Sequence, residues 1–154
     1  MARGDFTFSY SLRVRWAEVD RQGIVFNGHY LTFFDVGITE YFRAIGHPYP
    51  DALMREGSDT FVVKASIEYH RPAHYDDMLE VLVRMGRIGR TSMQFLIELH
   101  RIEPDGADAH LVSGEVIYVN ADAHTRKPAP VPTFLREAME RFERVPPLNG
   151  QPVP

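Results

Sequence analysis

The sequence predicts an α+β domain in which an antiparallel β-sheet is wrapped around one long central α-helix. Three patterns carry that expectation. Residues 7–16 alternate with a period of two, residues 28–45 change to helical period with a broad apolar face, and strand-like runs then follow one another without a helix between them. Strands alternating with helices would have indicated a parallel, doubly wound sheet, and the order here is different.

In the first run Phe8, Tyr10, Leu12, Val14 and Trp16 share one face, while Thr7, Ser9, Ser11, Arg13 and Arg15 share the other. A strand with one buried side has this pattern. A turn-like AEVDRQG separates it from the helical stretch. There, Phe33, Tyr30, Gly37, Tyr41, Phe34, Ile45, Ile38, Leu31 and Phe42 fill an arc of about 180°. Thr32, Asp35, Thr39 and Arg43 lie opposite. A surface helix shows an apolar stripe nearer ~100°, so this one should be largely covered by other structure. Gly46, with Pro48 beyond it, supplies a stop.

The later runs are residues 60–70, 78–88, 92–102 and 110–121. IGRTS separates the second from the third as a hairpin turn would, and EPDGAD separates the third from the fourth. Pro128–Pro132 leads to a last short helix, Thr133–Arg144, with Thr133 as its expected cap. The Pro- and Gly-rich end, about residues 145–154, is expected to fray. One sheet covers neither a helix this apolar nor its own edge strands. A homo-oligomer, dimer or tetramer, that joins two sheets would answer both needs, with the active site at the subunit interface.

The chain of 154 residues suits a single domain spanning 1–154. It has no cysteine, which excludes a disulfide, a thiolate metal site and a cysteine nucleophile. A net charge of −4 argues against nucleic acid as a partner. The N-terminal MARGDFTFSYSLRVRW lacks an apolar core, and polar residues break every later apolar run. The expectation is therefore no signal peptide, no membrane span and a cytoplasmic location.

The stretch with chemical content is WAEVDRQGIVFNGHYLTFFDVG, residues 16–37. Asp20 stands in a turn just after a strand, Gly23 permits tight backbone, Ile24-Val25-Phe26 form an apolar plug, and the helix begins near Asn27. A helix N-terminus presents unpaired N–H groups and a positive dipole end, suited to an oxygen that gains negative charge. A carboxylate a few residues upstream supplies a base or nucleophile for acyl transfer. On this pattern alone, Asp20 reads first as an Asx-turn or cap residue.

These residues resemble the signature of hotdog-fold thioesterases of the 4-hydroxybenzoyl-CoA thioesterase type, which include Tol-Pal-associated acyl-CoA thioesterases. The matching positions are Arg15, Trp16, Asp20, Gly23-Ile24-Val25-Phe26, Tyr30 and Phe33-Phe34, with weaker matches in EYHRPAHYDD, GRIGRTSMQF and RKPAPVP. The resemblance implies a hotdog fold and hydrolysis of a small aryl or short-to-medium-chain acyl-CoA. It implies Asp20 as nucleophile or general base, and the backbone amide of Asn27 as the group that polarises the thioester carbonyl. Some relatives carry His at the position of Asn27, and others Tyr at Trp16. Asn cannot take a proton as imidazole does, and His29 is the side chain that could stand in.

Coenzyme A is then part of the substrate, and no separate cofactor is expected. The resemblance places its phosphates near Arg87, Arg90, Thr91 and Ser92, where guanidinium groups suit phosphate oxygens. Arg84, Arg126 and Lys127 read as solvated charges. Glu68 and His70 share a strand face, yet no complementary donors accompany them in the sequence, so no metal site is expected. Glu40 reads as structural, and Phe33, Phe34, Tyr41 and Phe42 as core or acyl-pocket lining. Two alternatives stand beside hydrolysis. A hotdog hydratase or dehydratase would place His five residues after the Asp, where this chain has Val25. A non-catalytic acyl-CoA-binding protein would not need Asp20.

Overall fold

The computed structural model describes residues 1–150. Strand β1 (Phe8–Arg13) is followed by helix α1 (His29–Ala44), a short α2 (Asp51–Met54), and strands β2 (Ser58–Tyr69), β3 (Met78–Ile88), β4 (Ser92–Ile102) and β5 (Asp108–Asp122). Helix α3 (Thr133–Phe142) and a short strand β6 (Leu148–Asn149) complete the chain. The sheet runs β1-β3-β4-β5-β2, every neighbour antiparallel, so β1 and β2 form its two edges. The β1–α1–β2 connection crosses from one edge to the other, laying α1 against the sheet. This is the expected hotdog arrangement.

Burial along α1 follows the predicted arc. Tyr30, Phe33, Phe34, Gly37, Ile38, Tyr41 and Phe42 are buried, while Leu31 remains 45% exposed. The aromatics whose role was open are core: Phe34 and Tyr41 are fully enclosed. Two glycines bring helix and sheet together. A Cβ on Gly37 would lie 2.5 Å from Val81 Cγ1, and one on Gly114 would overlap the Phe34 ring. Truncating a core Phe such as Phe34 to Ala typically costs about 3–5 kcal/mol.

The helix stops as expected. Gly46 takes φ +89°, its N–H donates to the Arg43 carbonyl, and the His47 N–H reaches Phe42, which is the Schellman pattern. Gly89 donates to the Ser92 carbonyl at 2.8 Å and closes the β3–β4 hairpin.

Four expectations are corrected. β1 ends at Arg13; Trp16 lies in a short 3₁₀ turn, is 74% exposed, and meets Tyr75 edge-on instead of extending the buried face. A β-bulge at Val63 breaks the simple alternation of β2, so Val62 and Ala65 both reach the groove beside α1. Thr133 does not cap α3, because Pro132 holds the cap position and no side chain bonds to the helix end. The predicted tail begins with structure: Leu148–Asn149 pairs in parallel with Arg87–Ile88, continuing the line of β1. The remainder of that tail, residues 151–154, lies outside the described residues. Among the described residues, no helix is long and apolar enough to cross a membrane.

Candidate active site

The site is built on the loop between β1 and α1. Arg15 and Glu18 knit its start: the Arg15 N–H donates to the buried Glu18 carboxylate at 2.7 Å, and the Glu18 N–H returns to the Arg15 carbonyl. Asp20 then opens a β-turn. Its N–H donates to the Ile24 carbonyl at 2.9 Å, and its own carbonyl accepts from Gly23, whose φ of +78° suits glycine. Asp20 Oδ1 accepts from the Gln22 N–H at 2.7 Å. One carboxylate oxygen is therefore an Asx-turn acceptor, as the bland reading required. The other has no hydrogen-bond partner among the described residues.

The plug holds this turn to a second loop. Val25, buried, donates to the Ala73 carbonyl at 2.9 Å, and Ile24 bridges to His74. Tyr30 Oη accepts from the Ala73 N–H at 3.1 Å. Burial is the main reason that the Tyr30 phenol is shifted above its ordinary pKa, with the charge of Asp20 contributing in the same direction. Between the loops lies a cavity of about 310 Å3, bordered by Asp20, Val25, Asn27 and Tyr30 on one side and by Tyr69, His70 and Pro72 on the other.

The helix start faces this cavity. α1 begins at His29, and among the described residues the N–H groups of Asn27 and Gly28 have no acceptor. Tyr69 Oη donates to the Asn27 carbonyl at 3.0 Å and pins that peptide. Asp20 and Asn27, with its unpaired N–H, thus border one cavity, the pair of features that acyl transfer uses. Tyr69 was missed in the sequence because it lies 42 positions from Asn27. His29 takes a different place: its ring packs edge-on against Phe26, centroids 5.6 Å apart, and it does not border the cavity.

The predicted phosphate residues divide. Arg90 and Thr91 border an open cavity of about 620 Å3 at the β3–β4 turn, with Arg136 and Glu140 of α3 and with Asn149. Arg136 fixes the turn by donating to the Gly89 carbonyl at 2.6 Å. Ser92 is buried and Arg87 pairs with Leu148 of β6; neither borders that cavity. Arg84 is buried, and Arg126 stacks over Phe61 at 5.9 Å. Glu40 pairs with Arg43 on the helix surface, a structural place as expected.

Glu68 and His70 themselves do not assemble into a donor group, but a neighbouring cluster does. Glu98, His100 and His110 meet on the outer face of the sheet, beside His70. Strand pairing sets His100 opposite His110 and Glu98 opposite Ser113. No linear spacing shows it.

Comparison with known proteins converges. The sequence profile described as "Thioesterase superfamily" matches residues 22–107. The acyl-CoA thioester hydrolase YbgC of Escherichia coli (strain CFT073) is 31% identical over 125 residues, covering 81% of this chain and 90% of the relative. A putative esterase of Aquifex aeolicus is 35% identical over 89 residues, 57% of this chain and 68% of the relative. Among solved structures, 4-hydroxybenzoyl-CoA thioesterase in complex with 4-hydroxybenzoyl-CoA superimposes with a TM-score of 0.79 at 22% identity, covering 86% of this chain and 97% of that one.

Proposed function

This chain belongs to the thioesterase superfamily, and from that premise we propose that it hydrolyses a small aryl or short-to-medium-chain acyl-CoA to the free acid and CoA. Membership makes it a thioester hydrolase. The observation that supports the finer reading is that Asp20 and Asn27, whose N–H has no acceptor among the described residues, border one cavity at the helix start.

In this reading the thioester carbonyl sits against the Asn27 amide at the start of α1. Negative charge that develops on its oxygen is met by fixed N–H donors and the helix dipole. The free oxygen of Asp20 either attacks the carbonyl carbon or removes a proton from the attacking water. CoA leaves as its thiol. These parts supply both the base or nucleophile and the oxyanion donors, so the scheme uses no metal or redox cofactor. At the other end, Arg90 and Thr91, with Arg136 behind the turn, receive the CoA phosphates. The protein acts as a homo-oligomer in the cytoplasm, where its substrate class is made.

Thiol release from acetyl-, benzoyl- and decanoyl-CoA tests the reading. Release from at least one, with substoichiometric enzyme, is the expected outcome. Binding without release would leave an acyl-CoA-binding protein, and water addition to an enoyl-CoA without release would leave a hydratase.

A further inference from the structure

We propose that Glu98, His100 and His110 form a binding site for a divalent transition-metal ion of the zinc class, separate from the reaction cavity. The three side chains offer one carboxylate oxygen and two imidazole nitrogens, all within 4.8 Å of one another. Glu98 and His100 are 5% and 4% exposed on the outer face of β4, where unpaired charge is costly.

The contacts of His100 carry the argument. Its Nδ1 lies 2.9 and 3.0 Å from the two oxygens of Asp108, and its Nε2 lies 2.8 Å from Glu98 Oε2. A neutral imidazole has a single N–H. With that proton given to Asp108, the Nε2 lone pair faces a carboxylate oxygen at contact distance. Such an arrangement requires either one more proton between the two atoms or a cation bound by both.

The surroundings favour the cation. His110 brings a third donor, with Nε2 3.9 Å from Glu98 Oε2. Asp108 is placed as the outer carboxylate that orients a metal-ligating histidine and fixes its tautomer. A cavity of about 500 Å3 bordered by Glu98 and His110 leaves a further coordination position open to solvent. Two nitrogens and an oxygen, with no thiolate, suit zinc and similar ions.

Coordination asks for one movement. The rings of His100 and His110 are stacked, 4.7 Å apart and 6° from parallel, so their lone pairs cannot converge as they stand. His110 is the more exposed partner, with its side chain 38% exposed and its Nε2 2.9 Å from Ser113 Oγ and 3.1 Å from the Val112 carbonyl. Turning it towards Glu98 releases those weak neutral contacts. The ion is structural and takes part in no step of hydrolysis. Its position still matters: His70 and Arg71 border both this cavity and that of Asp20, so the ion braces the far side of that wall.

The test uses the full chain, stripped with EDTA and dialysed. Cobalt(II) alone should bind at one equivalent with visible d–d absorption, and zinc(II) should raise Tm by several degrees. His110→Ala, at a half-exposed position, and the isosteric Glu98→Gln should each lose the absorption and the Tm shift. Absence of cobalt absorption in the wild type, or a zinc shift that survives in both variants, overturns the proposal.

Discussion

Tyr69, at the end of an edge strand, donates its phenolic hydrogen to the carbonyl of Asn27, at the start of the central helix, across 3.0 Å. That bond fixes the peptide plane whose N–H belongs to Gly28, beside the Asn27 amide. It ties the oxyanion donors to the sheet and not merely to their own loop. Removal of the hydroxyl should therefore act on turnover more than on folding. Tyr69→Phe loses one neutral hydrogen bond of about 0.5–1.5 kcal/mol, so kcat should fall roughly 2- to 10-fold and Tm by no more than a few degrees. Equal kcat in the two proteins would remove Tyr69 from the machinery.

Asp20 is expected to matter far more. Asp20→Asn preserves the Gln22 contact to the turn while removing the charge, so Tm and oligomer size should hold. A positioned base contributes about 10²–10⁴-fold, and kcat should fall by at least ~100-fold. Activity within a few-fold of wild type would return Asp20 to turn-making alone. A single turnover in ¹⁸O-water with enzyme in excess addresses the mechanism. Label in the Asp20 carboxylate would establish a mixed anhydride opened at the Asp carbonyl.

Arg90→Ala should raise KM for acyl-CoA by about 10-fold or more, the loss of a charge-assisted contact worth roughly 1.5–3 kcal/mol. The effect should vanish with an acyl-pantetheine, which lacks the nucleotide phosphates. Arg87→Ala, outside that cavity, should leave the KM ratio of the two substrates unchanged. A rise in KM that is the same for both substrates in Arg90→Ala would assign Arg90 to the turn.

Glu143 gives the protein a pH-dependent stability. It is 7% exposed; Oε1 accepts from Tyr41 Oη at 2.6 Å and from the Met85 N–H at 2.7 Å. Burial raises its pKa, outweighing those two hydrogen bonds and the nearby Arg84. Because the folded carboxyl holds its proton more tightly than the unfolded one, folding takes up a proton. The associated stability is complete below the unfolded pKa and is lost as pH rises through the folded value. Glu143→Gln keeps an acceptor and removes the titration. As pH rises from the acid range towards neutral, its Tm should gain on that of the wild type. Parallel Tm–pH curves would show that Glu143 titrates normally.

The edge strand β2 predicts association. Its unpaired side carries Val62 and Val63, 55% and 60% exposed, and the groove beside it exposes Leu31 of α1. An apolar edge of this length is ordinarily covered by a partner. Sedimentation should find a dimer or tetramer at micromolar concentration, and Val62→Lys should shift it towards monomer with loss of activity. A fully active wild-type monomer would contradict this.

The sequence by itself determined what local periodicity encodes. The helical arc from Tyr30 to Phe42, the Gly46 stop, the hairpin at Gly89–Ser92 and the turn that presents Asp20 depend on neighbours within a few residues. For the same reason the motif around Asp20 was legible before any fold was known. Sheet pairing decided the rest. Trp16 continues an alternation, yet the chain turns before it and leaves it on the surface. Tyr69 reaches Asn27, and Arg136 reaches Gly89, because distant elements pack there. Glu98, His100 and His110 converge because antiparallel register sets β4 against β5, with a bulge between Leu99 and His100 that aligns the two rings. Register across strands is fixed by the whole sheet's burial, a property that no single segment contains.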